Sequence, residues 1–388
     1  MLVETTNDVA AKTGYRVPVI ALSLYAIASG YLMSLIPLML VEHGIDANNA
    51  SWLASAFYAG LLVGAVAIEP AVKRIGHRKA FIVCLLILIA TIVILPFVPV
   101  VWVWIMARFV AGIAVAGVFV VVESWLLVGE EPSRAKRLGL YMGSLYGGSA
   151  LGQIGIGFIG VQGIVPFIVI LSMLSTAIVV LMVVPTKEPE SSHSTALSLK
   201  QMANLNHAAI IGCLVSGLSL GAIYGLMPVE LTNRHVSQAN LSVLMALVIL
   251  GGMAVQTIIP TLIKMAGSTP LMGLFCLLGV FAIGLISLSD DLNVLTISLF
   301  LVGMATFALY PIAINLGCNN LEESHIISAT QVMLICYSVG SVVGPMVADI
   351  FMEDDQGLMS YLLTTMMATT IYMFIVSIRS KKHLVAGE

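Results

Sequence analysis

The sequence predicts an all-α polytopic membrane protein, with twelve transmembrane helices in two pseudo-symmetric six-helix bundles and both termini cytoplasmic. Three observations lead there. Of 388 residues, 59% are hydrophobic and only 10% are charged, against roughly 25% charged in a soluble domain; a soluble fold of this size could not cover its surface. The apolar runs last about twenty residues or more, the length a helix needs to cross ~30 Å of hydrocarbon, whereas barrel strands alternate in segments of about ten. The basic residues fall almost entirely on alternate connections, as cytoplasmic loops require. At about 32 residues per span and loop the chain has room for about twelve spans, and none for a large soluble catalytic domain.

Each span lies between polar breaks. The first sixteen residues are polar and carry Lys12 and Arg16; the run that follows, 17–41, is too long for a signal-peptide core and has no small-residue cleavage site, so no signal peptide is expected. Glu42 and Asp46 separate it from span 49–72. The basic stretch Lys73 to Lys79 precedes span 80–98, and a short break leads to 101–127. Glu130, Glu131, Arg134, Lys136 and Arg137 precede 138–160, and a second short break leads to 163–185. Beyond a polar segment come 207–231, 240–262, 269–288, 292–316, 326–350 and 357–378, punctuated by Arg234, Lys264, Asp290 with Asp291, Glu322 with Glu323, and Glu353 to Asp355. Backbone groups in lipid must bond within their own segment, which makes each span a helix.

Orientation follows from charge. With the N-terminus inside, fifteen of the 17 Lys and Arg fall on the cytoplasmic side; Arg234 falls outside and Arg108 lies within a span. The outer loops carry acids instead. The net charge of −3 therefore reflects topology, and no nucleic-acid partner is expected.

The longest internal polar stretch, "PTKEPESSHSTALSLKQMANLN" (185–206), reads as a cytoplasmic linker. It divides the chain into an N-terminal bundle (1–185), a linker (186–206) and a C-terminal bundle (207–388). A shift of 191 or 192 residues brings the halves into register. Gly30 and Pro37 fall on Gly221 and Pro228; "KRIG" (73–76) falls on "KMAG" (264–267); Glu130 and Glu131 fall on Glu322 and Glu323; "GSALG" (148–152) falls on "GSVVG" (340–344). Both halves start inside and contain an even number of helices, so they form a parallel repeat about an axis along the membrane normal.

Three motifs carry a resemblance to the major facilitator superfamily. Its loop between helices 2 and 3, roughly G-x-x-x-D-R-x-G-R-R, is matched in "EPAVKRIGHRK" (69–79) by Arg74, Gly76 and Arg78, with Lys73 in the Asp position and Glu69 in the leading Gly position. Arg108 and Gly112 fit the family's Arg-x-x-x-Gly early in helix 4. The antiporter motif of helix 5, G-x-x-x-G-P-x-x-G-G, is matched by "GSLYGGSALG" (143–152), with Gly148 in the Pro position and Leu151 in one Gly position. The whole chain resembles the YcaD-like branch of the family through "VKRIG", "ESWL", "ALYPIAI" and "YSVGSVVGP". The resemblance implies the fold and the transport class, and leaves the substrate open.

An ionisable residue within a span costs at least ~2.5–3.5 kcal/mol on insertion scales, so each needs a reason. Arg108 lies about 10 Å from the outer end of its helix. Two roles are open to it: a structural Arg bonded to carbonyls or a tyrosine, or the ligand-cavity or proton-linked Arg that the resemblance implies. Glu123 lies about 22 Å further along the same helix, too far to pair with Arg108. Glu69 and Lys73 are four apart and share a helix face. Glu69, Lys73, Arg74, Arg78 and Glu123, with Gly76 at the turn, read as an inner charge cluster. In the family such a cluster closes the cytoplasmic side; solvated helix-end charges are the alternative. Glu123 and Glu69 are the candidates for carrying a proton.

The resemblance also implies a central cavity lined by helices 1, 4, 7 and 10, with 2, 5, 8 and 11 beside them. Its candidate lining residues are Tyr25, Ser29, Phe57, Tyr58, Tyr146 and Gln153 in the first half, and Tyr224, Gln256, Tyr310, Asn315, Gln331 and Tyr337 in the second. A mostly apolar pocket with a few polar groups suits an amphiphilic organic ligand; hydrogen bonding between helices is the competing role of each.

The five cysteines have no disulfide spacing, no His pair has metal spacing, there is no Walker loop and no catalytic triad. No cofactor, metal or enzymatic activity is expected. The expectation is a monomeric secondary active transporter in the inner (plasma) membrane of a bacterium, moving a small organic solute by alternating access. Proton-coupled export by antiport comes first, from the partial helix-5 motif. A proton-coupled uptake symporter or a facilitator is the alternative, and a non-transporting membrane sensor a remote one.

Overall fold

The computed structural model describes residues 16–127, 137, 139–184, 206–289, 291–319, 323–353 and 357–385. Among these residues the regular elements are helices, with no strand. They are α1 (Arg16–Met39), α2 (Asn49–Ile75), α3 (His77–Phe97), α4 (Val101–Leu127), α5 (Gly148–Ile159, entered through a π-helical turn, Gly143–Gly147) and α6 (Val165–Val183). The second series is α7 (His207–Asn233), α8 (Gln238–Ala266), α9 (Ser268–Leu288), α10 (Leu292–Cys318), α11 (Glu323–Glu353) and α12 (Gly357–Val385). Eleven are long and apolar enough to cross a membrane; the π turn interrupts the fifth span of the expected twelve.

The largest departure from expectation is at the connection between the second and third spans. A loop was expected over 73–79, but α2 continues to Ile75 and α3 starts at His77, so the connection shrinks to Gly76. The charged residues there extend the helix beyond its apolar run, since a helix need not stop where the hydrocarbon does. Gly76 turns the chain with φ 84° and ψ 158°, a region open in practice only to glycine. Its repeat mate Gly267 does the same between α8 and α9, with φ 77° and ψ 159°.

By packing, the chain divides into two compact units, Met1–His193 with Ser237–Ala246, and Ser194–Val236 with Leu247–Glu388. The linker expected at 186–206 lies outside the described residues except for Asn206, whose side-chain oxygen caps α7 by accepting from the Ala208 amide at 2.9 Å. Asp291 caps α10 in the same way, through the Asn293 amide at 2.8 Å.

Within each unit the same helix pairs meet: α1 with α5 and α7 with α11, α3 with α4 and α9 with α10. Glycine allows the close approaches, and the repeat places it equivalently. A Cβ on Gly152 would lie 2.6 Å from the Tyr31 amide nitrogen, and one on its mate Gly344 would lie 2.9 Å from the Leu218 Cα. A Cβ on Gly112 would collide with the Phe57 carbonyl of α2, and one on its mate Gly303 with the Val248 carbonyl of α8. Without a hydrophobic drive between helices in lipid, such backbone approach is a main source of association.

A polar latch holds one end of each unit. In the first, Tyr31 donates to the Gly160 carbonyl, and Glu42 accepts from the Gly163 amide at 3.1 Å. In the second, buried Glu230 accepts from Arg234 Nε at 2.9 Å and from the Leu358 amide at 3.1 Å, tying α7 to the start of α12. Glu230→Gln should destabilise the fold by about 2 kcal/mol, because it removes the charged acceptor that Arg234 and the Leu358 amide share at a partly wet site. That corresponds to a fall of about 2–3 °C in apparent Tm for the purified protein; an unchanged melting curve would show the pair to be ornamental.

Candidate functional site

The most informative charge is Arg108 on α4. Gly112 lies one turn beyond it, on the same face, and lets α2 approach α4 at Phe57 and Leu61. That approach delivers the Phe57 ring to the guanidinium, whose carbon lies 4.3 Å from the ring centroid. Tyr58 packs edge-on against Phe57 at 5.5 Å. The phenols of Tyr25 and Tyr58 lie within electrostatic reach of the cation, and Ser29 lies within reach of the Tyr25 phenol. Tyr25 in turn meets Phe119 edge-on at 6.3 Å. Arg108 Nε is buried and has no hydrogen-bond partner. Among the described residues no carboxylate pairs with Arg108; the ion pair found there is Glu230 with Arg234.

Glu123 is the second charge of α4. Its side chain keeps an open face, while its carboxylate is crowded by protein atoms. Oε1 accepts a hydrogen bond of 2.9 Å from the hydroxyl of Tyr141, itself only 4% exposed. Tyr146 lies in the π turn that follows, within electrostatic reach of Tyr141. A π turn adds a residue to the helical register and often accompanies function; Gly143 and Gly147 within it face open space.

Of the inner cluster, Arg74 is exposed. Arg78 donates to the carbonyls of Leu181 and, at 2.6 Å, Met182, so it closes the last turn of α6 against the start of α3. The side chains of Glu69 and Lys73 lie outside the described residues.

The cavity candidates sort by environment. Gln153, expected to line a cavity, is fully buried. Its amide donates to the Gly30 carbonyl at 2.8 Å and accepts from Ser34 at 2.7 Å. It stitches α5 to α1, the interhelical role that competes with lining, and it has no free edge for a ligand. Gln256 donates to the Phe307 carbonyl at 3.3 Å, joining α8 to α10. Asn315 accepts from Ser268 at 2.9 Å, and Gln331 is exposed. The second unit otherwise offers aromatic pairs: Tyr224 against Phe307 at 6.0 Å and Tyr310 against Tyr337 at 5.0 Å. No group of His, Cys, Asp or Glu among the described residues could hold a metal.

Three participants escape a reading of the sequence: Tyr141, Ser34 and Glu230. The i,i+4 spacing of Glu230 and Arg234 is a signal that could have found that pair. Nothing local marks the other two.

A polytopic helical chain with repeated six-helix patterning and lone charges on one span is, in class, a membrane transporter. Residues 19–345 match the Major Facilitator Superfamily, and the chain belongs to that family. It is 29% identical to the MFS-type transporter Ent638_1421 of Enterobacter sp. (strain 638), over 95% of this chain and 94% of that one. It is also 29% identical to the MFS-type transporter YcaD of Escherichia coli O139:H28 (strain E24377A / ETEC), over 91% and 92%. Its fold matches the crystal structure of the nucleoside transporter NupG with a TM-score of 0.74 at 11% identity, covering 92% of this chain and 96% of that one.

Proposed function

We propose that this protein is a secondary active transporter that moves a small organic solute across the bacterial inner membrane by alternating access, as a monomer, with protons as the coupling ion and export as the direction. One observation carries the reading: α4 holds two ionisable groups with different chemistry. Arg108 is a permanent cation, since a guanidinium does not deprotonate in proteins. Glu123 can exist charged or neutral, and its hydrogen-bond partner among the described residues is a phenol. A fixed charge suits the recognition of a ligand, and a switchable one suits proton carriage. Lys73, Arg74, Gly76 and Arg78 then belong to the inner gate, and Tyr25, Ser29, Phe57 and Tyr58 to the ligand environment. Within the second unit, Tyr224, Tyr310 and Tyr337 are the aromatic candidates for ligand contact.

The test is counterflow. Proteoliposomes preloaded with a panel of organic acids, amines and neutral solutes should exchange label for at least one class, and an imposed pH gradient should drive its net movement. Exchange of no solute by protein of demonstrated integrity would overturn the transport reading. Exchange indifferent to the pH gradient would overturn the coupling alone.

A further inference from the structure

We infer that the Arg108 site recognises the carboxylate of an organic monoanion with a flat, apolar body. This rests on the transport reading and names its substrate class. A buried guanidinium is ordinarily balanced by an acid, and among the described residues none pairs with Arg108. The Phe57 ring covers one face of the cation at 4.3 Å, but a cation–π contact contributes only about 0.5–2 kcal/mol, less than the cost of the charge in a span. What stays unsatisfied is one edge. Nε is buried without a partner, and Nε with its neighbouring Nη forms the planar fork that matches the two oxygens of a carboxylate.

The surroundings narrow the class further. One cation neutralises one negative charge; a dianion would bring an unbalanced charge into the bundle. Phe57 and Tyr58, and Tyr25 and Phe119, pack edge-on in one aromatic cluster around the cation, surroundings that suit a planar hydrocarbon body rather than a compact inorganic anion. The phenols of Tyr25 and Tyr58 lie within electrostatic reach of the cation, so the surroundings of the fork are polar as well as aromatic. Phe57 thus serves twice, as lid on the guanidinium and as platform for the ligand.

The experiment uses the purified full-length protein, melted by intrinsic fluorescence with phenylacetate, 4-hydroxybenzoate or indole-3-acetate, each beside its primary amide. At least one acid should raise the apparent Tm by several degrees at a concentration where its amide does nothing. Arg108→Gln should abolish that shift. Arg108→Lys, which keeps the charge but loses the fork, should raise the half-saturating concentration at least ten-fold, and Phe57→Leu about three-fold. Should Arg108→Gln fail to purify as a monodisperse species, Arg108→Lys carries the test, and an unchanged half-saturation overturns the site. The proposal also falls if no acid outperforms its amide or if Arg108→Gln keeps the shift. Counterflow separates the two readings: exchange of a neutral or cationic solute without acid binding sinks the substrate class and leaves the transporter. Arg108-dependent acid binding with no exchange of any solute leaves the site and sinks the transporter.

Discussion

Replacing Gly112 by alanine should cost the protein most of its folded yield, whereas the same replacement at Gly284 should be neutral or mildly stabilising. A methyl group on Gly112 would collide with the Phe57 carbonyl and lie 2.8 Å from the Leu61 amide nitrogen, both backbone atoms of a neighbouring helix. Neither can swing aside as a side-chain tip can, so α2 must move off α4. Overpacking of a close contact costs typically 1–3 kcal/mol and more where backbone is rigid, and the displaced helix also withdraws Phe57 from Arg108. Monodisperse yield should fall about ten-fold, and the surviving protein should melt several degrees lower. Gly303→Ala in the second unit should behave alike, because its methyl group meets the Val248 carbonyl in the matching position. At Gly284 a Cβ meets nothing within 4 Å, and alanine there gains about 0.5–1 kcal/mol from lost unfolded-state freedom. Equal yields and melting temperatures for Gly112→Ala and Gly284→Ala would remove close helix approach as the basis of the α2–α4 pair.

The contrast between these glycines also shows what the amino-acid order reveals and what it hides. Span existence is legible because apolar run length is a local property; the fourth span, 101–127, is α4 residue for residue. Helix ends are less legible where charged residues prolong a helix past its apolar run, as at Lys73 to Ile75. The repeat is legible as a common offset between glycines, yet which glycines touch a neighbour depends on helix crossings, and the motif that marks Gly112 does not say which backbone it meets. The site follows the same rule. Arg108 announces itself, because a charge in an apolar run is a local anomaly. Its companion Phe57, one of 13 phenylalanines, is a cavity candidate by resemblance, but its place over the guanidinium shows only through the approach that Gly112 permits. Gln153 reads as a polar group available to a ligand until both ends of its amide prove to be taken. The π turn at Gly143–Gly147 has no residue signature at all, since the same residues suit an α-helical turn.

Glu123→Gln should separate exchange from drive. If Glu123 carries the coupling proton, the glutamine variant is locked in an electrically neutral form of nearly the same shape, so counterflow of the solute should persist within about three-fold. Net transport driven by a pH gradient should fall at least ten-fold, towards the level of empty liposomes. Arg108 cannot take this role, because it holds its proton throughout. Tyr141→Phe supplies the second arm. It removes the hydroxyl that donates to Oε1 at 2.9 Å while leaving the carboxylate in place. A hydrogen bond to a charged group contributes about 1.5–3 kcal/mol, and each 1.4 kcal/mol is a factor of ten, so driven flux should drop about ten-fold with exchange intact. The pair of variants distinguishes coupling from packing. A structural carboxylate would lower counterflow and driven flux together in Glu123→Gln, and would leave Tyr141→Phe close to wild type in both. Driven transport undiminished in Glu123→Gln would move the proton to another group, and the first to test is Glu69, the other carboxylate that the sequence offers as a proton carrier.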